Sequence, residues 1–344
     1  MLWVGSEELR VGFHRAMIIS FAVAVAALIV ERRAWRRCAD IFVLGTLGLL
    51  VWMFFVESPE FYVAVVSRLG QVYDDAGVQV LNPNDLGSQT GFAALIAFHG
   101  HGEEDRPWPK RARAAAAILL CAGTLATGSR GAITGLIIAV GVMLVRYPSA
   151  RVPVLAAIIA VVGVSPLLAS SDNQVAMLLT RMFEEGNVQS AGKRVEIWTA
   201  VIPTVSDSPL GLLLGTGTGG SARELAKFVD FNSIEVPLLD DGVRRVAAHN
   251  IYFQWLIEHG LLGACVGGFF LFDAIRSVKN GPRQLLVRNA AILVHVAVVG
   301  LTNDAALTSA SVAWSSLNLA ATFGSWGARE RFDRRRAARR TTYP

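Results

Sequence analysis

The chain has 344 residues, 53% of them hydrophobic and only 17% charged, against about 25% charged in an average soluble domain. With a mean hydropathy of +0.45, this composition excludes an ordinary soluble protein and points to an all-α, polytopic transmembrane bundle, whose outward faces must be apolar too. The net charge of +5 comes from 32 Lys+Arg against 27 Asp+Glu; the basic residues fall in short clusters between apolar blocks, with no aromatic-interleaved patch, which argues against a nucleic-acid partner.

Along the chain, Glu7, Glu8, Arg10 and Arg15 precede an apolar run at 16–30. Glu31-Arg32-Arg33 closes that run without a small-residue cleavage site, so it reads as a retained anchor. Further runs at 41–56, 86–98, 114–128, 131–145, 152–169, 250–275, 289–303 and 305–324 bring the expectation to about nine spans in a single integral membrane domain, 1–344. The run at 86–98 carries Ser88, Gln89 and Thr90, and is the weakest of them together with 289–303. Residues 61–66 read as an interfacial or reentrant piece. Cys38, Cys121 and Cys265 show no CxxC spacing, so neither a disulfide framework nor a zinc site is implied.

Charge then orients the spans. Segments 31–37, 99–113, 146–151, 276–288 and 329–340 hold 21 of the 32 Lys and Arg residues and are expected to be cytoplasmic loops and a basic tail within 325–344. The long loop 170–249 is then extracytoplasmic and is expected to carry part of the active site. An outside N-terminus with an odd number of spans suggests either that upstream helices are missing or that the weak run at 86–98 is miscounted as a span.

Four polar constellations fall on the outer face of this arrangement. Leu81-Asn82-Pro83-Asn84-Asp85 opens the third span and has the composition of a turn or helix cap. Thr127-Gly128-Ser129-Arg130-Gly131 breaks two apolar runs. An arginine at such a depth either faces a polar cavity or an anionic partner, or snorkels to the headgroups. In the long loop, Gly192-Lys193-Arg194-Val195-Glu196-Ile197-Trp198 opens an amphipathic stretch, followed by Pro209-Leu210-Gly211 and Gly215-Thr216-Gly217-Thr218-Gly219-Gly220. The glycine run matches G-x-G-x-x-G but has no βαβ unit around it, and reads as a flexible turn or as a loop whose amides assist an anion. Last, Ala248-His249-Asn250-Ile251-Tyr252 marks re-entry into the membrane, with Glu258 and His259 further along the same helix. Nine positions separate His249 from Glu258, which sets them on opposite helical faces, so structural pairing is the expectation for Glu258. His99-Gly100-His101 with Glu103, Glu104 and Asp105 looks like a metal-ligand set but reads as a solvated cytoplasmic loop.

Taken in order, these residues resemble the O-antigen ligase and O-antigen polymerase family of bacterial envelope glycosyltransferases. The resemblance runs through Asn82-Pro83-Asn84, Gly128-Ser129-Arg130-Gly131, Arg194 with Trp198, Pro209-Leu210-Gly211, Gly215-x-Gly-x-Gly, His249-Asn250 and Glu258-x-Gly260-x-x-Gly263, and covers about residues 75–275. It implies transfer of a glycan from a polyprenyl diphosphate carrier to a hydroxyl of a glycan, lipid or protein acceptor, at the outer face of the bacterial plasma membrane. Family members carry ten or more spans and a later outer loop, and this sequence departs from them in its N-terminal half.

The residues suit that chemistry. A diphosphate leaving group develops negative charge that guanidinium groups neutralise through paired hydrogen bonds, the role expected of Arg130 and Arg194. The attacking hydroxyl needs a base, the role expected of His249. Asn82, Asn84, Ser129, Lys193, Trp198, Asn250 and Tyr252 are the expected substrate contacts. No cofactor is called for, and arginines in the electrophilic role make a metal unnecessary. The competing class is a transporter or flippase of lipid-linked sugars, which would also present arginines to an anionic headgroup; the absence of an internal repeat argues against it.

Overall fold

The computed structural model describes residues 32–53, 72–73, 79–81, 83–99, 109–146, 194–217, 220–229, 246, 248–280 and 283–302. The expected runs 16–30, 152–169 and 305–324, the basic tail, the piece at 61–66 and most of the histidine-rich segment lie outside them. Six of the apolar runs coincide with helices: α1 (Arg32–Trp52), α2 (Pro83–His99), α3 (Lys110–Ala126), α4 (Arg130–Arg146), α8 (Ile251–Asn280) and α9 (Arg283–Gly300). Three short helices, α5 (Val201–Ser206), α6 (Pro209–Leu214) and α7 (Ser221–Ala226), lie in the former long loop, and residues 194–199 are also helical. The described residues are otherwise irregular, apart from one small antiparallel hairpin that an all-α reading did not include. In it, β1 (Val72–Tyr73) pairs with β2 (Gln79–Leu81), Val72 opposite Leu81 and Tyr73 opposite Gln79, with an irregular register between the two pairs.

Among the described residues no helix is long and apolar enough to cross a membrane. For α2, α3 and α4 the reason is length: each has 17 residues, or about 26 Å at the rise of an α-helix, short of the roughly 30 Å of a hydrocarbon core. The segment 276–288, expected to be a loop, is mostly helical, because α8 continues to Asn280 and α9 starts at Arg283. Its charges sit on helix ends, and only Gly281-Pro282, a helix-ending pair, separates the two elements.

The described residues group into two compact units. One holds α1 to α4, the hairpin and α9 as far as Val299. Within it α2 is almost entirely enclosed, which explains why its sequence looks too polar for a span. Thr90 Oγ1 donates to Leu86 O at 2.9 Å and lies 2.9 Å from Thr124 Oγ1 of α3, while Gln89 Nε2 donates to Thr46 Oγ1 of α1 at 3.4 Å. Phe92 meets Phe42 edge-on at 5.6 Å between ring centroids. A helix buried on all sides satisfies its polar groups against protein and needs no uniformly apolar surface. His295 of α9 is fully buried there, its Nε2 3.3 Å from Ser88 O. Its ring fits because α2 and α4 present Gly91 and Gly135 to it: a Cβ at Gly91 would stand 2.8 Å from Cε1, and one at Gly135 2.9 Å from Nδ1.

The second unit holds the described residues from Arg194 to Ala274 together with Gly300 to Thr302. Its core joins Ile197, Val201, Val205, Leu225, Val246, Ala248 and Ile257, so residues 194–199, α5 and α7 close over the start of α8. Ser208 caps α6 by accepting from Gly211 N at 2.9 Å, with Pro209 at the first helical position.

Candidate functional site

The helix α8 begins where a side chain tells it to. Asn250 Oδ1 accepts from Tyr252 N at 3.0 Å and from Phe253 N at 3.2 Å, while Asn250 O accepts from Gln254 N at 3.0 Å. These bonds satisfy amides that the first turn leaves without intrahelical partners. Asn250, read from sequence as a substrate contact, is buried, and its carboxamide oxygen is engaged in this cap.

Directly before it, His249 stands in the left-handed region at φ 48°, which no other described non-glycine residue shares. Such a backbone is costly for a residue with a Cβ and persists where its surroundings impose it. Here the surroundings can be named. Trp198 Nε1 donates to Ala248 O at 2.9 Å, and the Trp198 ring meets Phe253 edge-on at 5.7 Å between centroids. On the N-terminal side Val246 N donates to Ala222 O at 3.0 Å. The half-buried His249 is thus held by bonds on both sides along the chain.

Arg194 lies one helical turn before Trp198, on the same face of residues 194–199. Its Nη1 donates to Thr302 O at 3.3 Å, just past the end of α9, where carbonyls lack intrahelical partners. This contact fixes one edge of a planar fork that carries five donors. Tyr252 packs beside Gly300, whose absent Cβ would lie 3.4 Å from the phenol oxygen. The structure therefore brings Arg194, Trp198, His249, Asn250 and Tyr252 into one unit. Lys193, like Asn82, lies outside the described residues.

The remaining expected residues belong to the other unit. Gly87 lets the first turn of α2, which holds Asn84, approach the turn before α4: a Cβ there would come 2.6 Å from Thr127 Oγ1 and 2.9 Å from Ser129 Cβ. Thr127 Oγ1 donates to Thr124 O at 2.7 Å and accepts from Ser129 N at 3.3 Å. The buried Ser129 accepts from Ile133 N at 2.9 Å through its carbonyl, and the half-buried Arg130 is the first residue of α4.

Where the glycine run is described, its amides bond within the protein rather than standing open to an anion. Thr216 N donates to Ile257 O at 2.8 Å and Gly217 N to Glu258 O at 3.0 Å, two carbonyls freed because α8 breaks at Gly260 (φ 60°, ψ −162°). A Cβ on Gly215 (φ 78°) would collide with the Glu258 and His259 backbone, and one on Gly260 would stand 2.6 Å from Gly215 N. Two glycines distant in sequence thus permit one backbone-to-backbone approach.

Residues 115–267 match the family model described as O-antigen ligase. The match supports the O-antigen ligase and polymerase family. It takes in Arg130, Arg194 and His249 and leaves Asn82 and Asn84 outside its bounds. Glycan transfer of the O-antigen ligase type is the activity it supports, with a lipid-linked donor and an acceptor in general terms. No curated protein matches the chain at a significant level.

Sequence reading missed Thr302, Ser221 and Gln254. Thr302 contributes only its carbonyl, which any residue supplies, so no side-chain signal marked it. Gln254 was legible in principle, four residues from both Asn250 and Glu258.

Proposed function

We propose that this protein transfers a glycan from a polyprenyl diphosphate carrier to an acceptor hydroxyl at the outer face of a bacterial plasma membrane. His249 takes the proton of the attacking hydroxyl as the bond to the anomeric carbon forms, and the diphosphate departs with its pair of electrons. In-line attack inverts the anomeric configuration. Arg194 meets the charge developing on the diphosphate through two parallel N–H donors. Arg130 enters on its chemistry alone, as a guanidinium at the start of α4, and is tested by its own variant. With arginines as electrophiles the transfer is metal-independent, and turnover unchanged in EDTA is expected.

The observation that carries this reading is the strained backbone of His249, held by the Trp198 bond to Ala248 one helical turn from Arg194. A membrane setting is supported by large apolar side chains that face outward on the helices: Ile41 and Val51 on α1, Ile118 and Leu119 on α3, Ile137 and Ile138 on α4, and Leu262 and Phe269 on α8. The test is turnover of a purified lipid-linked glycan in detergent, without a gradient, by the wild type and His249→Ala. The reading expects turnover that collapses in the variant. A wild-type protein that binds the donor and leaves it intact would instead be a carrier.

A further inference from the structure

Asn250, Gln254 and Glu258 follow each other at four-residue spacing on one face of α8, and all three are buried, at 4%, 7% and 1% exposure. Asn250 caps the helix. The other two form a polar cluster with α7: Ser221 Oγ donates to Glu258 Oε1 at 2.8 Å, and Gln254 Nε2 donates to the same oxygen at 3.1 Å. Gln254 Oε1 is buried without a hydrogen-bond partner among the described residues. An orphaned acceptor and an enclosed carboxyl are poor contributors to stability, since apolar side chains of similar volume would fill the space at no such cost. Their use calls for a geometric reason.

The geometry supplies one. Ser221 and its neighbour Ala222 form the first turn of α7 and tie two separate segments together: Ser221 holds Glu258, and Ala222 O accepts from Val246 N, three residues before His249. Glu258 thereby fixes α7, α7 fixes Val246, and the chain reaches His249 with its conformation already restricted. From the other direction α8 itself connects Glu258 to the Asn250 cap. We infer that Glu258 is a positioning residue for His249, acting through the Ser221-Ala222 turn of α7 rather than by touching substrate. The inference rests on the reading of His249 as the base.

The experiment is a cycle of Glu258→Ala, His249→Ala and the double variant, with Glu258→Gln and Ser221→Ala alongside, assayed on monodisperse protein in detergent with purified lipid-linked glycan. A base displaced by about 1 Å costs on the order of 100-fold. Glu258→Ala is therefore expected to lower kcat about ten- to a hundredfold with donor KM within about twofold. Glu258→Gln retains an acceptor for Ser221 and should recover most of the loss. His249→Ala leaves a residual rate, roughly 10²- to 10⁴-fold down, that long incubations resolve, and on that background Glu258→Ala should cost nothing further. A loss of the same factor on both backgrounds, or wild-type kcat in Glu258→Ala, overturns the inference while the base reading stands. If Glu258→Ala does not fold, Ser221→Ala carries the same comparison, with a several-fold loss confined to the His249 background. Full turnover by His249→Ala removes the base reading, and the inference with it.

Discussion

The two arginine-bearing regions are built in opposite ways. The turn before α4 is mostly local: Thr124, Thr127, Ser129 and Arg130 lie within a few residues of one another, the bonds of Thr127 run to near neighbours, and the long-range contributions are the Thr90–Thr124 hydroxyl contact and the space left by Gly87. The region around His249 is assembled from residues 194–199, from 246 to 258 and from Thr302, joined by bonds that span 50 residues for Trp198 to Ala248 and 108 for Arg194 to Thr302. A local turn keeps its shape through backbone preference, so no single bond is decisive. A long-range assembly loses a whole constraint with each bond, and should answer more sharply to conservative substitutions.

The largest expected effect is at the centre of the long-range region. His249→Ala should lower turnover of lipid-linked glycan by about 10²- to 10⁴-fold at unchanged expression and membrane insertion, measured as product formed per mole of folded protein. Near-normal turnover would reduce His249 to a strained linker residue.

Next come the arginines, where the comparison is most direct. Lysine keeps the charge and loses the planar fork, so Arg194→Lys should lose roughly ten- to a hundredfold in kcat/KM, the equivalent of one charge-assisted hydrogen bond. The same loss for Arg130→Lys would show that the local turn also grips the diphosphate. Wild-type kinetics there would make Arg130 a headgroup anchor and leave the grip to Arg194.

A smaller effect is expected for Trp198→Phe, which keeps an aromatic ring against Phe253 and deletes only the donor to Ala248 O. Loss of one neutral hydrogen bond costs about 0.5–1.5 kcal/mol of stability, so the melting temperature should fall by only a few degrees, while turnover should fall several-fold as the chain before His249 loses a constraint. Thr127→Val makes the matching deletion in the local turn and should fall less. Equal losses would erase the contrast between the two regions.

Finally, Gly87→Ala should cost about 1–3 kcal/mol of stability, because the added methyl meets Thr127 and Ser129 in a tightly packed contact. Gly45→Ala on α1 meets nothing within 4 Å and should be neutral or stabilising by up to about 1 kcal/mol. Melting curves in detergent distinguish the two, and equal curves would mean that α2 can withdraw from the turn.

By itself the sequence located six long helices by their apolar runs, though not their ends, since Arg32–Arg37, Lys110–Arg113 and Arg276–Asn280 read as loops by their charge and are helical; and it marked Arg130, Arg194 and His249 because guanidinium and imidazole carry the chemistry that glycan transfer from a diphosphate needs. It also marked the glycine run, Asn250 and Glu258, but not their work. Only the tertiary structure decided that Asn250 caps α8, that α2 is polar because protein encloses it, that the glycine run closes on a broken helix, and that Ser221 meets Glu258. The reason is physical. Helix period and side-chain type are written in short windows, whereas the partner of a carbonyl or a buried carboxylate is chosen by segments that folding brings together, and a backbone group such as Thr302 O looks the same in every residue until it does.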